Sequence, residues 1–358
     1  MERRKTRFGV IGAGYGQAVI IPAIRRDPRA EVTAISATSF EKARRIADQT
    51  NVPYAFGTWQ ELLAFEGVDA LAIAVPPAYQ PAIVEAAAMR RLPIFLEKPL
   101  SVNLSDAHRI YEVLKEANLA SVVDFNFTGL EYFRTAREAF RAHKIGRLDH
   151  VVVNWQVETY ANQHRTRNWK TDFQKGGGTL FSFVSHSLHY LEWLTAQKVC
   201  ALSARLFRIL DDDRSGEATA YLHLEFDSGA SAAIAASAAS PLGSGHEIAF
   251  YGSDGCLILR NMTRDYMRGF DLIHGTRSSV APVSIVKSPP TPHNAEDGRI
   301  APSAKLIGVL LDAIRDQNTG CDGVGVRSGL RVQQLLDAAI ESNRMKKWVD
   351  VCALTNYV

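Results

Sequence analysis

Over its first 125 residues the chain alternates continuous apolar runs with amphipathic stretches, and this alternation limits the possible folds more than any other feature. Residues 8–11 form a short apolar run that ends in glycines, and Val19, Ile20, Ala23 and Ile24 follow at helical spacing. Residues 31–36, 51–56, 68–75, 93–96 and 120–125 read as further strands, with helices over 81–91 and 104–117. Thr38–Glu41 and Thr58–Glu61 read as capping boxes, in which a hydroxyl and a carboxylate satisfy orphan N–H groups at a helix start. Strands that are apolar throughout are buried on both faces, so helices must cover both sides of a parallel sheet. The expectation for residues 1–125 is an α/β, doubly wound Rossmann domain of the kind that binds a dinucleotide.

After about residue 145 the pattern changes. Residues 149–159 alternate, with Val151, Val153, Trp155 and Val157 on one face. Residues 201–210, 218–227, 230–237, 247–251 and 255–260 also read as strands, separated by turns such as Asp227-Ser-Gly229 and Ser253-Asp-Gly255. One helix is expected over 179–195 and two more over 303–317 and 327–344, while the five prolines of 281–302 mark a loop. Residues 126–358 are therefore expected to form an α+β domain with a large, mainly antiparallel open sheet. Ala230, Ala232, Ile234 and Ala236 suggest an apolar face with too few helices to cover it, so a homodimer or homotetramer is expected.

With 358 residues, 46% of them hydrophobic, the chain can fill two cores. A net charge of +3 gives no signal for nucleic acid or an anionic membrane. Cys200, Cys256, Cys321 and Cys352 form no Cys-x-x-Cys pair, which gives no support to a metal site or a redox dithiol. The basic start Met1–Arg7 leads into a strand rather than a signal-peptide core, and no apolar run reaches the ~20 residues of a membrane helix. A reduced, cytoplasmic protein is expected.

Four motifs carry chemistry. Gly12-Ala-Gly14-Tyr15-Gly16-Gln17 joins the first strand to a helix, where glycines let backbone approach a pyrophosphate and the helix start favours its charge. Gln17 stands in the third-glycine slot, one place after Gly16. At the end of the second strand, where an acid would hold a ribose 2′-hydroxyl, Ala37 is followed by Thr38, Ser39 and Lys42, a set that suits a 2′-phosphate and so favours NADP over NAD. Glu97-Lys98-Pro99 ends the fifth strand, where Lys98 can exchange a proton with a substrate oxygen or form an ion pair in a turn; the tripeptide alone leaves both open. Gly176-Gly-Gly178 precedes a helix on which Ser182, His186 and His189 share a face, a pattern open to a catalytic histidine or to a satisfied buried one.

Taken in this order, the motifs resemble the Gfo/Idh/MocA oxidoreductase family, together with Ile73-Ala-Val-Pro-Pro77, Asp124-Phe-Asn-Phe127, Gly146-Arg-Leu148 and Gly329-Leu-Arg-Val-Gln333. The resemblance implies NAD(P)-dependent oxidation or reduction at a hydroxyl-bearing carbon of a sugar, nucleotide sugar or polyol. By position it implies that Lys98 is the catalytic lysine, with a cis bond to Pro99, and that His186 contacts the reacting hydroxyl. Glu97 and Pro76 fall at the nicotinamide end, Gln80 and Lys98 at further cofactor-binding positions, and Asn126, Trp169, Lys170 and Asp172 at substrate positions. Ser182, His189 and Gln80 replace a frequent Asp, Asp and His, which leaves Asp172 as a candidate acidic partner for His186. Two other readings share this fold: a glycosidase working through transient oxidation and elimination, and a non-catalytic dinucleotide sensor.

Overall fold

The computed structural model describes residues 4–263, 265, 267–288, 295–317, 321 and 323–351. The chain divides into two compact units, Met1–Gly129 with Arg299–Gln333, and Leu130–Gly298 with Gln334–Val358. The division is not the linear one at residue 125, because a late segment returns to the first unit.

In the first unit β1 (Thr6–Ile11) leads through the glycine turn into a π-helical turn, Gly16–Ile20, and on into α1 (Ile21–Arg25). There follow β2 (Ala30–Ser36), α2 (Phe40–Thr50), β3 (Tyr54–Phe56), α3 (Trp59–Ala64) and β4 (Ala70–Ile73). α4 (Gln80–Met89), β5 (Ile94–Leu96), α5 (Leu104–Glu116) and β6 (Ser121–Val123) complete its sheet. The strands are all parallel, in the order β3-β2-β1-β4-β5-β6, the doubly wound arrangement the alternation predicts. Every residue of β4 and β5 is buried, as strands covered on both faces must be. Thr58 and Glu61 form the expected capping box on α3. On α2 the cap lies one residue later than expected: Ser39, not Thr38, accepts the Lys42 N–H at 3.2 Å. A cap must leave the helix while its oxygen turns back onto it, and Ser39 has that extended backbone.

The second unit contains α6 (Glu131–Arg141), β7 (Leu148–Gln156), the short α7 (Tyr160–Gln163) and α8 (Ser185–Thr195), the last preceded by a π turn at Leu180–Val184. Strands β8 (Val199–Phe207), β9 (Thr219–Phe226), β10 (Ser231–Ser237), β11 (Gly245–Gly252), β12 (Gly255–Asn261), β13 (Asp271–Thr276) and β14 (Val283–Val286) follow. α9 (Ile300–Asp316) belongs to the first unit, and the division between units falls inside α10 (Val326–Met345), ahead of β15 (Val349–Asp350). The nine-stranded sheet runs β14-β13-β12-β11-β7-β10-β9-β8-β15 and is antiparallel except where β7 meets β10.

Three expectations are corrected here. Ala230, Ala232, Ile234 and Ala236 are at most 5% exposed within this one chain. With a period of two they share a face with Val151, Val153 and Trp155, which packs on the helical side, so they give no argument for a second subunit. The outward face instead shows Val152, Tyr221 and Tyr251. β14 lies inside the stretch read as a loop; it is an exposed edge strand directly after Pro282, where a missing N–H is tolerated. Finally, Cys200 is disulfide-bonded while Cys256 and Cys321 are free thiols, so the thiols are not all reduced; distance along the chain does not fix distance in space. Cys352, residues 1–3 of the basic start and residues 289–294 of the proline-rich stretch lie outside the described residues. No helix among those described is long and apolar enough to cross a membrane.

Candidate active site

In the first unit the sequence-predicted residues gather on the loops that leave the carboxyl ends of the parallel strands, where ligands of open α/β sheets bind. Gly12 has φ +120°, and a Cβ there would stand 2.2 Å from the Ala74 carbonyl oxygen, so β1 can pass β4 this closely only at glycine. A Cβ on Gly14 would meet nothing within 4 Å, which leaves open space beside the backbone. Gly16 brings the helix down on Val10, with only 3.0 Å between that Cγ1 and a would-be Cβ. This is the work of the third glycine in such loops, done one residue early. Gln17 is thereby released, and its amide donates to Gln49 on α2 at 3.0 Å. At the end of β2, Thr38 and Lys42 are exposed, and Ser39 is occupied with its cap.

Lys98 follows β5 and is joined to Pro99 by a cis bond. Its N–H donates to its neighbour's carboxylate, Glu97 Oε2, at 2.9 Å. On the other side the buried Gln80 donates from Nε2 to the Pro99 carbonyl at 2.8 Å. The backbone that carries Lys98 is thus fixed before and after the lysine.

At the end of β6 lies a polar group that the sequence reading did not assign. Asp124, 1% exposed, accepts the Tyr15 hydroxyl at 2.8 Å and the Ser303 hydroxyl at 3.0 Å. Asn126 donates from Nδ2 to the Tyr15 oxygen at 3.4 Å, and the Arg299 guanidinium lies 5.0 Å from the centre of the Tyr15 ring. Burial raises the Asp124 carboxyl above the ordinary carboxylate range, although the Tyr15 and Ser303 hydrogen bonds and the charges of Lys98 and Arg299 oppose the shift. Burial raises Glu97 too, helped by the Asp124 charge and opposed by Lys98. The Tyr15 phenol is pushed well up, first by burial and then by the Asp124 and Glu97 charges. No sequence signal ties Ser303 or Arg299 to the glycine loop, which lies almost 290 residues away.

The second unit holds the other predicted residues. His186 and His189 are buried on α8, and the His186 ring lies 6.4 Å from that of Trp155. Trp155 stacks on His246 at 3.9 Å, and the Tyr190 hydroxyl bonds His246 Nε2 at 3.0 Å and Ser187 at 2.9 Å. Burial lowers the His246 pKa to about 3, so that ring is neutral at ordinary pH. The glycine triplet has a packing reason: a Cβ on Gly177 would stand 2.4 Å from the Trp169 carbonyl, and one on Gly178 2.3 Å from the Glu217 carboxylate. Glu217, also missed by the sequence reading, accepts the Leu180 N–H at 2.6 Å at the start of the helical segment, and burial raises its pKa to about 7. Lys170 is exposed, with its ammonium 5.8 Å from the Trp169 ring. Asp172, considered as a partner for His186, is taken up instead by the Gln174 N–H, the Ser215 hydroxyl and Lys175. Its place one residue before Phe173-Gln-Lys175 makes it a local cap.

The family model described as "Oxidoreductase family, NAD-binding Rossmann fold" matches residues 6–125, and "GFO/IDH/MocA C-terminal domain" matches residues 133–258. The chain belongs to the Gfo/Idh/MocA family of NAD(P)-dependent oxidoreductases. An uncharacterised oxidoreductase of Synechocystis is 28% identical over 96% of this chain and 95% of its own length. D-xylose 1-dehydrogenase (NADP(+)) 2 of Haloferax volcanii is 25% identical over 65% of this chain and 70% of its own length. The structure of an oxidoreductase from Agrobacterium radiobacter, in complex with NAD+, L-tartaric acid and magnesium, matches with a TM-score of 0.84 at 20% identity, covering 98% of this chain and 99% of that one. Within the Gfo/Idh/MocA fold this chain thus has its glycine loop and Lys98 on one unit and its helical histidines on the other.

Proposed function

We propose that this Gfo/Idh/MocA member transfers a hydride between NADP and a hydroxyl or keto carbon of a sugar, nucleotide sugar or polyol, with Lys98 as the group that exchanges the hydroxyl proton. The observation that carries the reading is the placement of Lys98 at the carboxyl end of a parallel strand, its backbone held by Glu97 on one side and by Gln80 through Pro99 on the other. A proton-transfer group must be positioned before its basicity matters.

The glycine loop suits a dinucleotide: Gly14 leaves open space beside the backbone, and the helical run that opens at Gly14 supplies amides for a pyrophosphate. Gly12, Gly14, Tyr15, Gly16 and Gln17 would hold that part, Pro76, Gln80, Glu97 and Lys98 the nicotinamide end. The dinucleotide, when bound, takes up or supplies the hydride. In the oxidative direction the Lys98 amine accepts the O–H proton as the carbonyl forms; in reduction its ammonium returns it to the oxygen. Asn126, Trp169 and Lys170 are proposed to contact substrate, and His186 to orient its reacting hydroxyl. Exposed Thr38 and Lys42, and an alanine at position 37 where an acid would hold a ribose 2′-hydroxyl, support NADP, and the Haloferax relative's name points the same way. The proposal includes a cytoplasmic homodimer or homotetramer, for which the exposed Val152, Tyr221 and Tyr251 of the outward sheet face are the supporting feature.

The test is to follow reduced-nicotinamide absorbance over a panel of sugars, nucleotide sugars and polyols, with NADP and NAD in parallel. Turnover on at least one compound, faster or at lower concentration with NADP, is the expected result. Sugar cleavage with no net change in the dinucleotide would identify a glycosidase instead.

A further inference from the structure

Tyr15 is the one residue with a long side chain between the second and last glycines of the loop, and that side chain does not face solvent freely. Its hydroxyl donates to Asp124 at 2.8 Å and receives the Asn126 amide at 3.4 Å, while Ser303 on α9 donates to the same carboxylate at 3.0 Å. The Tyr15 ring also packs against the cluster of Val19, Ala23 and Ile300, under the Arg299 guanidinium. Three segments far apart in sequence, the glycine loop, the end of β6 and the start of α9, therefore meet at one buried carboxylate.

We infer that Asp124, through Tyr15 and Ser303, is a positioning residue that clamps the glycine loop in its dinucleotide-ready shape. The inference rests on the dinucleotide reading of that loop given above. Its physical basis is the freedom of the loop itself. Gly12 and Gly14 give the backbone many conformations, and each one it can visit but not bind from lowers its apparent affinity. A side chain anchored between the glycines removes those conformations before the ligand arrives. The anchor is a strong one, because a hydrogen bond to a buried carboxylate is charge-assisted and costly to leave unmade. Asp124 is not one of the proposed reacting groups; it acts through Tyr15.

Tyr15→Phe removes only the hydroxyl and keeps the ring beneath Arg299, so it tests the clamp with little risk to folding. Affinities for NADPH, NADH and adenosine are to be measured by fluorescence or calorimetric titration, alongside the melting temperature without ligand. The expected result is a roughly tenfold weaker binding of both dinucleotides, with adenosine binding close to wild type and only a modest fall in melting temperature, because Ser303 still donates to the Asp124 carboxylate. Asp124→Asn and Ser303→Ala should weaken dinucleotide binding as well. Adding Asp124→Asn to Tyr15→Phe should cost less than the two single effects combined, because both break one link. Wild-type dinucleotide affinity in Tyr15→Phe would overturn the clamp alone. Equal weakening of adenosine and dinucleotide would overturn it too, since that would mark a general loss of structure. A wild-type protein that binds neither dinucleotide would overturn the underlying reading and the clamp together.

Discussion

The two units arrange their polar residues in opposite ways. In the first, charged and hydroxyl groups collect at one edge of a parallel sheet: Lys98, Glu97, Asp124, Tyr15 and Ser303 all follow strand ends or the helix start that faces them. In the second, the polar groups are interleaved with a covered sheet face, where His246 is stacked on Trp155 and bonded to Tyr190. A parallel sheet directs every strand end to the same side, so loops far apart in sequence converge there. A mainly antiparallel sheet has no such common end, and its buried polar groups must be satisfied locally. The first unit is thus built to place chemistry at an edge, and the second to hold a helix and its histidines against a sheet.

Lys98→Met offers the largest contrast between them. It keeps roughly the stem length and removes the proposed proton carrier from the first unit. Turnover should fall by on the order of 10²–10⁴ in steady-state kinetics on a substrate from the panel. Dinucleotide affinity should change far less, because the proposed hold on the pyrophosphate is the backbone of the glycine loop.

A smaller effect comes from pH, to which the buried histidine and the buried carboxyls respond with opposite signs. The buried His246 has its pKa lowered to about 3 from an ordinary value of 6.5. Between those limits the unfolded chain binds the proton and the folded one does not, so this residue costs stability progressively as pH falls below about 6.5. Glu97 and Asp124 are raised, so the folded state holds protons that the unfolded chain has lost, and their contribution falls as pH rises above the ordinary carboxylate range. Glu217 in the second unit, raised to about 7, shares that second sign. Thermal unfolding of His246→Gln across pH 4–7 should therefore show a flatter acid limb than wild type, by several degrees at the acid end. An unchanged limb would show that His246 charges without cost.

The contrast also explains what the sequence made legible. The strands of the first unit are readable because burial on both faces leaves apolar runs such as Ala70–Ile73 with no competing pattern. The glycine turn and the position of Lys98 follow from those strand ends. The Asp124 clamp is illegible for the same topological reason that creates it: Tyr15 and Ser303 meet across 288 residues, and neither has a local signature. The displaced cap at Ser39 reflects a choice between adjacent hydroxyls that only backbone angles decide. In the second unit, alternation reveals β7 and β10 but does not say which face is covered; that Ala232 and Ile234 lie on the covered face with Val151 and Val153 follows only from the packing. The glycine triplet was visible as a motif, but its reason, the close approach to Trp169 and Glu217, depends on a contact between distant segments.

The proposed direct hydride transfer from the substrate carbon to the dinucleotide can be followed with a deuterium label. A substrate found in the panel, deuterated at the carbon that bears the reacting hydroxyl, would be turned over and the nicotinamide product isolated. One deuterium is expected on each reduced nicotinamide, with none released to water. Reduced dinucleotide without the label, or label retained in a cleaved product with no net reduction, would contradict it.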